Sequence, residues 1–193
     1  MNPVDHLVYA TPDLDGTLRE LAARGLRLSP GGPHTGLGTR NHLADLGEGR
    51  YLEVIGPDPE QDGPPLTFGI AELTAPRLAT WAVRVPDLDR LAAHPVAMSR
   101  QRPDGVTLSW RLAFPQDSLH GLVPFLIDWG ASEHPSATAA PGARLLRLHG
   151  GHPEPEFVRA RLTEVGADLD LVRADEPWLA AVIATPSGEV ELR

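Results

Sequence analysis

The stretch "LVYATPDLDGTLRELAARG", residues 7–25, decides the fold. A short apolar run ends at Ala10, Pro12 and Asp13 follow, and Leu14, Leu18, Leu21 and Ala22 then fall on one helical face ahead of Gly25. Pro suits a first helical position because no N–H is needed there. Asp places negative charge at the positive end of the helix. The same order returns in "WAVRVPDLDRLAAHPV", residues 81–96, with Pro86 and Asp87. It returns again in "LLRLHGGHPEPEFVRARLTEVG", residues 145–166, with Pro153 and Glu154, an apolar face of Val158, Leu162 and Val165, and Gly166. The three prolines stand too far apart for a solenoid but suit a repeated supersecondary unit.

Candidate strands follow each helix. They are "RLSPGG" (27–32), "NHLADLG" (41–47) and "RYLEVIG" (50–56) in the first unit. The second holds a weaker strand near "AMSRQ" (97–101), then "VTLSWRLAF" (106–114) and "LVPFLIDWG" (122–130). The third offers "LDLVRA" (169–174), "WLAAVIATP" (178–186) and "EVELR" (189–193). Each unit therefore reads β-α-β-β-β. The expected class is α+β: consecutive βαβββ modules whose curved mixed sheets form a cleft, with helices on the outer face. Residues 1–60 are the first module and 78–131 the second, paired around one cleft. Residues 132–143, "SEHPSATAAPGA", are a linker, and 144–193 are a third βαβββ-like module.

Composition narrows the function. The 193 residues are 41% hydrophobic, enough for a core, but only 5% aromatic. A net charge of −9 with no basic run argues against nucleic acid. No bilayer-length apolar run or signal-peptide pattern is seen, so a membrane partner is not expected. Without Cys there is no disulfide, thiolate metal site or Cys nucleophile, and a cytoplasmic location is expected. The Ala, Arg, Gly and Pro bias with scarce Lys matches a GC-rich bacterial genome.

Two polar residues interrupt apolar strands. In "VDHLVYA" (4–10), Leu7 and Tyr9 share one face and Val4, His6 and Val8 the other. In "RYLEVIG", Leu52 and Val54 share a face opposite Tyr51, Glu53 and Ile55. If the helix covers the first set, His6 and Glu53 both point away from it into the cleft. A buried carboxylate needs a partner or a wet cavity.

The segments "DHLVYATPDLD" (5–15), "GGPHTGLGTRN" (31–41) and "RYLEVIGPD" (50–58) resemble the glyoxalase-like domain proteins of the vicinal oxygen chelate superfamily. The resemblance extends through "LATWAVRVPDLD" (78–89) and "PFLIDWG" (124–130). It implies paired βαβββ modules and a divalent metal (Zn, Ni, Mn or Fe) held by His6 and Glu53. It further implies a pocket-side motif of His34, Gly38, Thr39 and Asn41. The same alignment places Thr80 where His6 stands and Ile127 where Glu53 stands, so the second module supplies neither ligand. The third offers Arg147 and Glu191. A catalytic ion takes about three protein ligands, and His34, His42 or Glu191 stand as candidates for the third.

Other residues have a site role and a plain one. Asn41 can orient a carbonyl or simply start a strand. Arg111, on the polar face of "VTLSWRLAF", can hold a carboxylate or sit on a solvated face. Trp129 can wall the pocket or belong to the core, and His42 reads as packed under the helix. "GGPHTGLG" (31–38) lacks the features of a phosphate loop, and no nucleophile elbow is present. The leading expectation is a metal-assisted lyase or isomerase acting on a small oxygenated molecule. Glu53 would be its catalytic base, and His34, Asn41, Arg111 and Trp129 would hold the substrate. The alternative is a metal-free protein that binds and sequesters a small molecule, and a third is assembly through a sheet edge. The expected partner is a small-molecule ligand, with a homodimer as the candidate assembly.

Overall fold

The computed structural model describes all 193 residues. Its strands are β1 (Val4–Ala10), β2 (Ser29–His34), β3 (Thr39–Gly47), β4 (Arg50–Pro57), β5 (Arg77–Arg84), β6 (Val96–Gln101), β7 (Thr107–Ala113) and β8 (Phe125–Asp128). The chain continues with β9 (Arg144–His152), β10 (Asp170–Arg173), β11 (Trp178–Thr185) and β12 (Gly188–Leu192). Two helices, α1 (Leu14–Ala23) and α2 (Pro155–Glu164), complete the α+β architecture. Neither helix is long and apolar enough to cross a membrane.

Strands β1 to β8 form one curved sheet in the order β2-β3-β4-β1-β5-β8-β7-β6. Its two halves repeat one another: β1 pairs parallel with β4, and β5 pairs parallel with β8. They join where β1 runs antiparallel to β5. The curvature brings the outermost strands together. The Arg100 guanidinium on β6 donates to the Gly31 carbonyl on β2. Gly32, at φ +129°, lies so near β6 that a Cβ would come within 2.5 Å of the Gln101 carbonyl oxygen.

The helices start later than the proline spacing implies. Asp13 is the N-cap of α1, its carboxylate accepting from Gly16 N at 2.9 Å, and Pro12 lies outside. In α2, Pro155 rather than Pro153 takes the first turn after Glu154. The second unit has no α-helix. Only a single 3₁₀ turn, Leu88–Arg90, fits before Pro95 and β6, and Leu88 anchors it in the core.

The third segment follows the expected element order but pairs differently. Its sheet runs β10-β9-β11-β12, with β9 parallel to β10 across α2. It caps the outer face of the large sheet. Leu7, Leu52, Trp81 and Val83 pack there in one apolar layer with Leu14 and Leu21 of α1, Val158 and Leu162 of α2, and Leu179 and Ile183 of β11. Leu78 N donates to the Arg193 carbonyl at 2.7 Å, tying the two sheets. The inner face of the large sheet gathers a separate cluster including Val8, Tyr51, Ile55, Trp110, Phe125 and Trp129. The segment 132–143 is more than a spacer, because Ala140 exchanges backbone hydrogen bonds with β3.

Trp81 is fully buried between the layers, its indole N–H on the Leu122 carbonyl at 3.1 Å. Trp81→Ala is expected to cost about 3–5 kcal/mol in urea unfolding. Because the two sheets share this layer, they should unfold in one transition; two resolved transitions would show the third segment to be independent.

Candidate functional site

The site begins with an irregularity in β1. Val4 lies opposite Val83 and His6 opposite Ala82, so Asp5 is an extra residue on β1. The bulge turns Val4 to the outer layer, against strict alternation, and sends both Asp5 and His6 inward. Asp5 is fully buried. Its carboxylate accepts from Arg84 Nε at 2.8 Å, His134 Nε2 at 3.0 Å and Trp129 Nε1 at 3.3 Å, and it meets His6 Nδ1 at 2.7 Å. Burial pulls the Asp5 pKa up. The hydrogen bonds from His134 and His6 outweigh it and hold the carboxyl well below the usual carboxylate range. An ionised Asp5 requires the proton on Nδ1 of His6, so the neutral ring presents its Nε2 lone pair to the cavity. The imidazole is further fixed by stacking on Tyr51, with ring centroids 4.6 Å apart.

Glu53 enters from β4, on the opposite side of Tyr51's strand from the outer layer. Its Oε1 accepts from Asn41 Nδ2 at 2.6 Å and lies 3.6 Å from His34 Nε2, and its Oε2 lies 4.0 Å from His6 Nε2. His34 Nδ1 meets Thr39 Oγ1 at 3.1 Å. Burial lowers the His34 pKa, against the opposing pull of Glu53. The other amide atom of Asn41, Oδ1, is buried without a partner and lies against Gly31, where a Cβ would come within 2.1 Å of it. Gly31 therefore makes room for the side chain that holds Glu53.

These groups line a cavity of about 230 Å³, whose remaining wall is mostly apolar and includes Ile55, Leu112, Phe125 and Ile127. His6, His34, Asn41, Glu53 and Trp129 all reach it. Arg111 does not. It lies on the other face of β7, bonded to Asp89 at 2.9 Å and Asp128 at 2.8 Å. The cleft-facing set of that strand is the apolar one, Leu108, Trp110 and Leu112. The second half lacks a covering helix, so its polar set faces water. His42 stands on the outer side of β3, beside Arg40 and Asp15 of α1, and Glu191 is exposed and paired with Arg193. Sequence reading missed Asp5 and Arg100. The adjacent polar pair Asp5-His6 in an apolar strand was a signal of the bulge; buried Arg100, in the weak strand 97–101, gave none.

A divalent ion would have to sit between His6 Nε2 and Glu53 Oε2. Thr80 and Ile127 add no donor there, and no cluster of three His, Asp or Glu side chains is arranged to hold a metal. Glu53 Oε1 is already engaged by Asn41. His34 Nε2 lies by that held oxygen, 3.6 Å from Oε1, and the three side chains are not arranged around one ion, so those present do not fit the expected metal.

The Asp5 network has a pH signature. Its folded pKa is depressed, so its stabilisation is complete above the ordinary carboxylate value of about 3.9 and is lost as pH falls below that. Asp5→Asn should lower stability at pH 7 by about 3–5 kcal/mol. It should also flatten the loss between about pH 4 and pH 2 seen for the native chain in urea titrations.

The glyoxalase-like domain family model matches residues 4–166. Among solved structures, a hypothetical protein from Staphylococcus aureus is similar at 15% identity and a TM-score of 0.67, covering 97% of this chain and 83% of that one. A mutant of 4-hydroxymandelate synthase from Streptomyces coelicolor is similar at 16% identity and a TM-score of 0.50, covering 99% of this chain and 62% of that one. Methylmalonyl-CoA epimerase from Mycobacterium tuberculosis matches at 20% identity and a TM-score of 0.44, covering 70% of this chain and 91% of that one. At such identities the likeness concerns the fold alone. No curated protein matches the sequence. With the family pattern spanning the whole eight-stranded sheet and the start of the third segment, the chain belongs to the glyoxalase-like domain family.

Proposed function

We propose that the cavity is a proton-transfer site, in which a small oxygenated molecule is isomerised or cleaved at a carbon next to a carbonyl group. One observation carries this reading. Two bases, His6 Nε2 and Glu53 Oε2, face the same apolar cavity 4.0 Å apart, each held by a partner of its own. Asp5 fixes the His6 tautomer and would stabilise the imidazolium formed when Nε2 accepts a proton. Asn41 holds one oxygen of Glu53 and leaves the other for the substrate. One base takes the proton and the other returns it to a neighbouring position. The apolar walls exclude water, which strengthens both the bases' hold on the substrate and the field across it. The reaction runs on these side chains, and no step passes through a metal.

A second reading is binding without chemistry. It is favoured by the apolar character of most of the lining and by the shortage of metal donors.

The two are separated by following solvent deuterium exchange by NMR. The substrates are a panel of small 2-oxo acids, hydroxyketones and aryl ketones in heavy water. Catalytic exchange should fall about 10²–10⁴-fold in His6→Gln and in Glu53→Gln, while Arg111→Ala keeps the native rate. Panel members that bind but do not exchange would favour sequestration and sink the catalytic reading.

A further inference from the structure

We propose that the cavity takes a small aromatic carboxylate, its ring between the aromatic walls and its carboxylate on Arg100. This rests on the cavity being the ligand site, as in the reading above, and not on any proton moving there.

The first support is where the aromatic residues go. The chain has four Trp, two Tyr and four Phe, and six of these ten line this one cavity: Tyr51, Phe68, Trp110, Phe114, Phe125 and Trp129. A chain so poor in aromatics builds its outer layer, apart from Trp81 and the flanking Tyr9, from Leu, Val, Ile and Ala and concentrates its flat π-faces on the cavity. Trp110 and Trp129 lie 5.3 Å apart between centroids, as do Phe114 and Phe125 at 5.2 Å. Such walls favour a planar apolar body, which stacks or meets them edge-on.

The second support is a cation. Arg100 is 5% exposed and lines the cavity, yet its hydrogen bond goes to a neutral group, the Gly31 carbonyl. No ion pair engages it, although Arg40, Arg84, Arg102 and Arg111 all have carboxylates. Glu53 shares the cavity, but its oxygens lie with Asn41, His34 and His6. A buried charge is costly unless paired. A guanidinium carries five N–H donors in a planar fork that matches the two oxygens of a carboxylate. The missing partner is an anion supplied from outside the chain.

The third support is size. An apolar cavity of roughly 150 Å³ accepts benzene. At about 230 Å³, this one has room for a ring with a short acid-bearing arm.

The test uses the full chain and calorimetry, with benzoate, phenylacetate and 1-naphthoate set against benzamide, phenylacetamide and 1-naphthamide. Each acid should bind at least about tenfold more tightly than its amide, the size of one charge-assisted hydrogen bond. Arg100→Gln should erase the preference and leave amide binding in place. If that variant does not fold, the acid-to-amide comparison in the native chain decides alone. Equal affinity of acid and amide, or no binding by any acid, overturns the proposal. Affinity reads this proposal and proton exchange reads the catalytic one, so the two can fail separately. Preference without exchange in the native chain removes only the catalysis, and exchange without preference removes only the carboxylate.

Discussion

One buried carboxylate organises the molecule. Asp5 is surrounded by donors from four separate places: its neighbour His6, Arg84 at the end of β5, Trp129 after β8, and His134 beyond the second half. Each contact answers part of the cost of removing a charge from water. Together they fix where the two halves of the sheet meet and where the following segment returns. The same contacts hold the imidazole of His6 in one tautomer and one orientation, so folding and chemistry share a single group.

The large sheet keeps its two faces for different tasks. Aliphatic side chains from both helices and both sheets fill the outer layer around Trp81, and the third segment closes over it. That cover relieves the inner face of much of the packing that stability requires. Polar groups such as His6, His34, Asn41 and Glu53 can then be buried there in a connected network, beside aromatic rings that leave a cavity open. The division is unequal between the repeats. The first half supplies most of the polar groups and the second most of the aromatic wall, with Arg100 as its charged contribution.

How far the sequence revealed this depended on the kind of signal. Alternation in β1 and β4 was enough to turn His6 and Glu53 to the same side, because paired strands keep their parity over short distances. A single inserted residue defeats that rule, which is why strict alternation puts Val4 on the wrong face and does not reveal Asp5. Arg111 shows a different failure. Alternation sorted β7 correctly into polar and apolar sets, but polarity does not say which set faces a ligand, and this cavity is apolar. The second helix failed because Pro95 leaves too little chain for one, a limit visible in the residues yet outweighed by likeness to the first unit. The pairing of β9 with β10 had no local signature, since strand order is decided by tertiary packing. Arg100 could not be found at all, because burial of an arginine depends on the sheet curling until its ends meet.

That curling has a consequence for how the chain meets its neighbours. A strand at the rim of an open sheet offers a row of unsatisfied amides to any other extended segment. Here the rim strand β2 is "SPGGPH", in which Pro30 and Pro33 have no amide hydrogen to give, and it is turned toward β6 of the same molecule. The eight-stranded layer thus presents its own terminus to itself, and growth of that layer by recruiting a foreign strand is blocked at the seam.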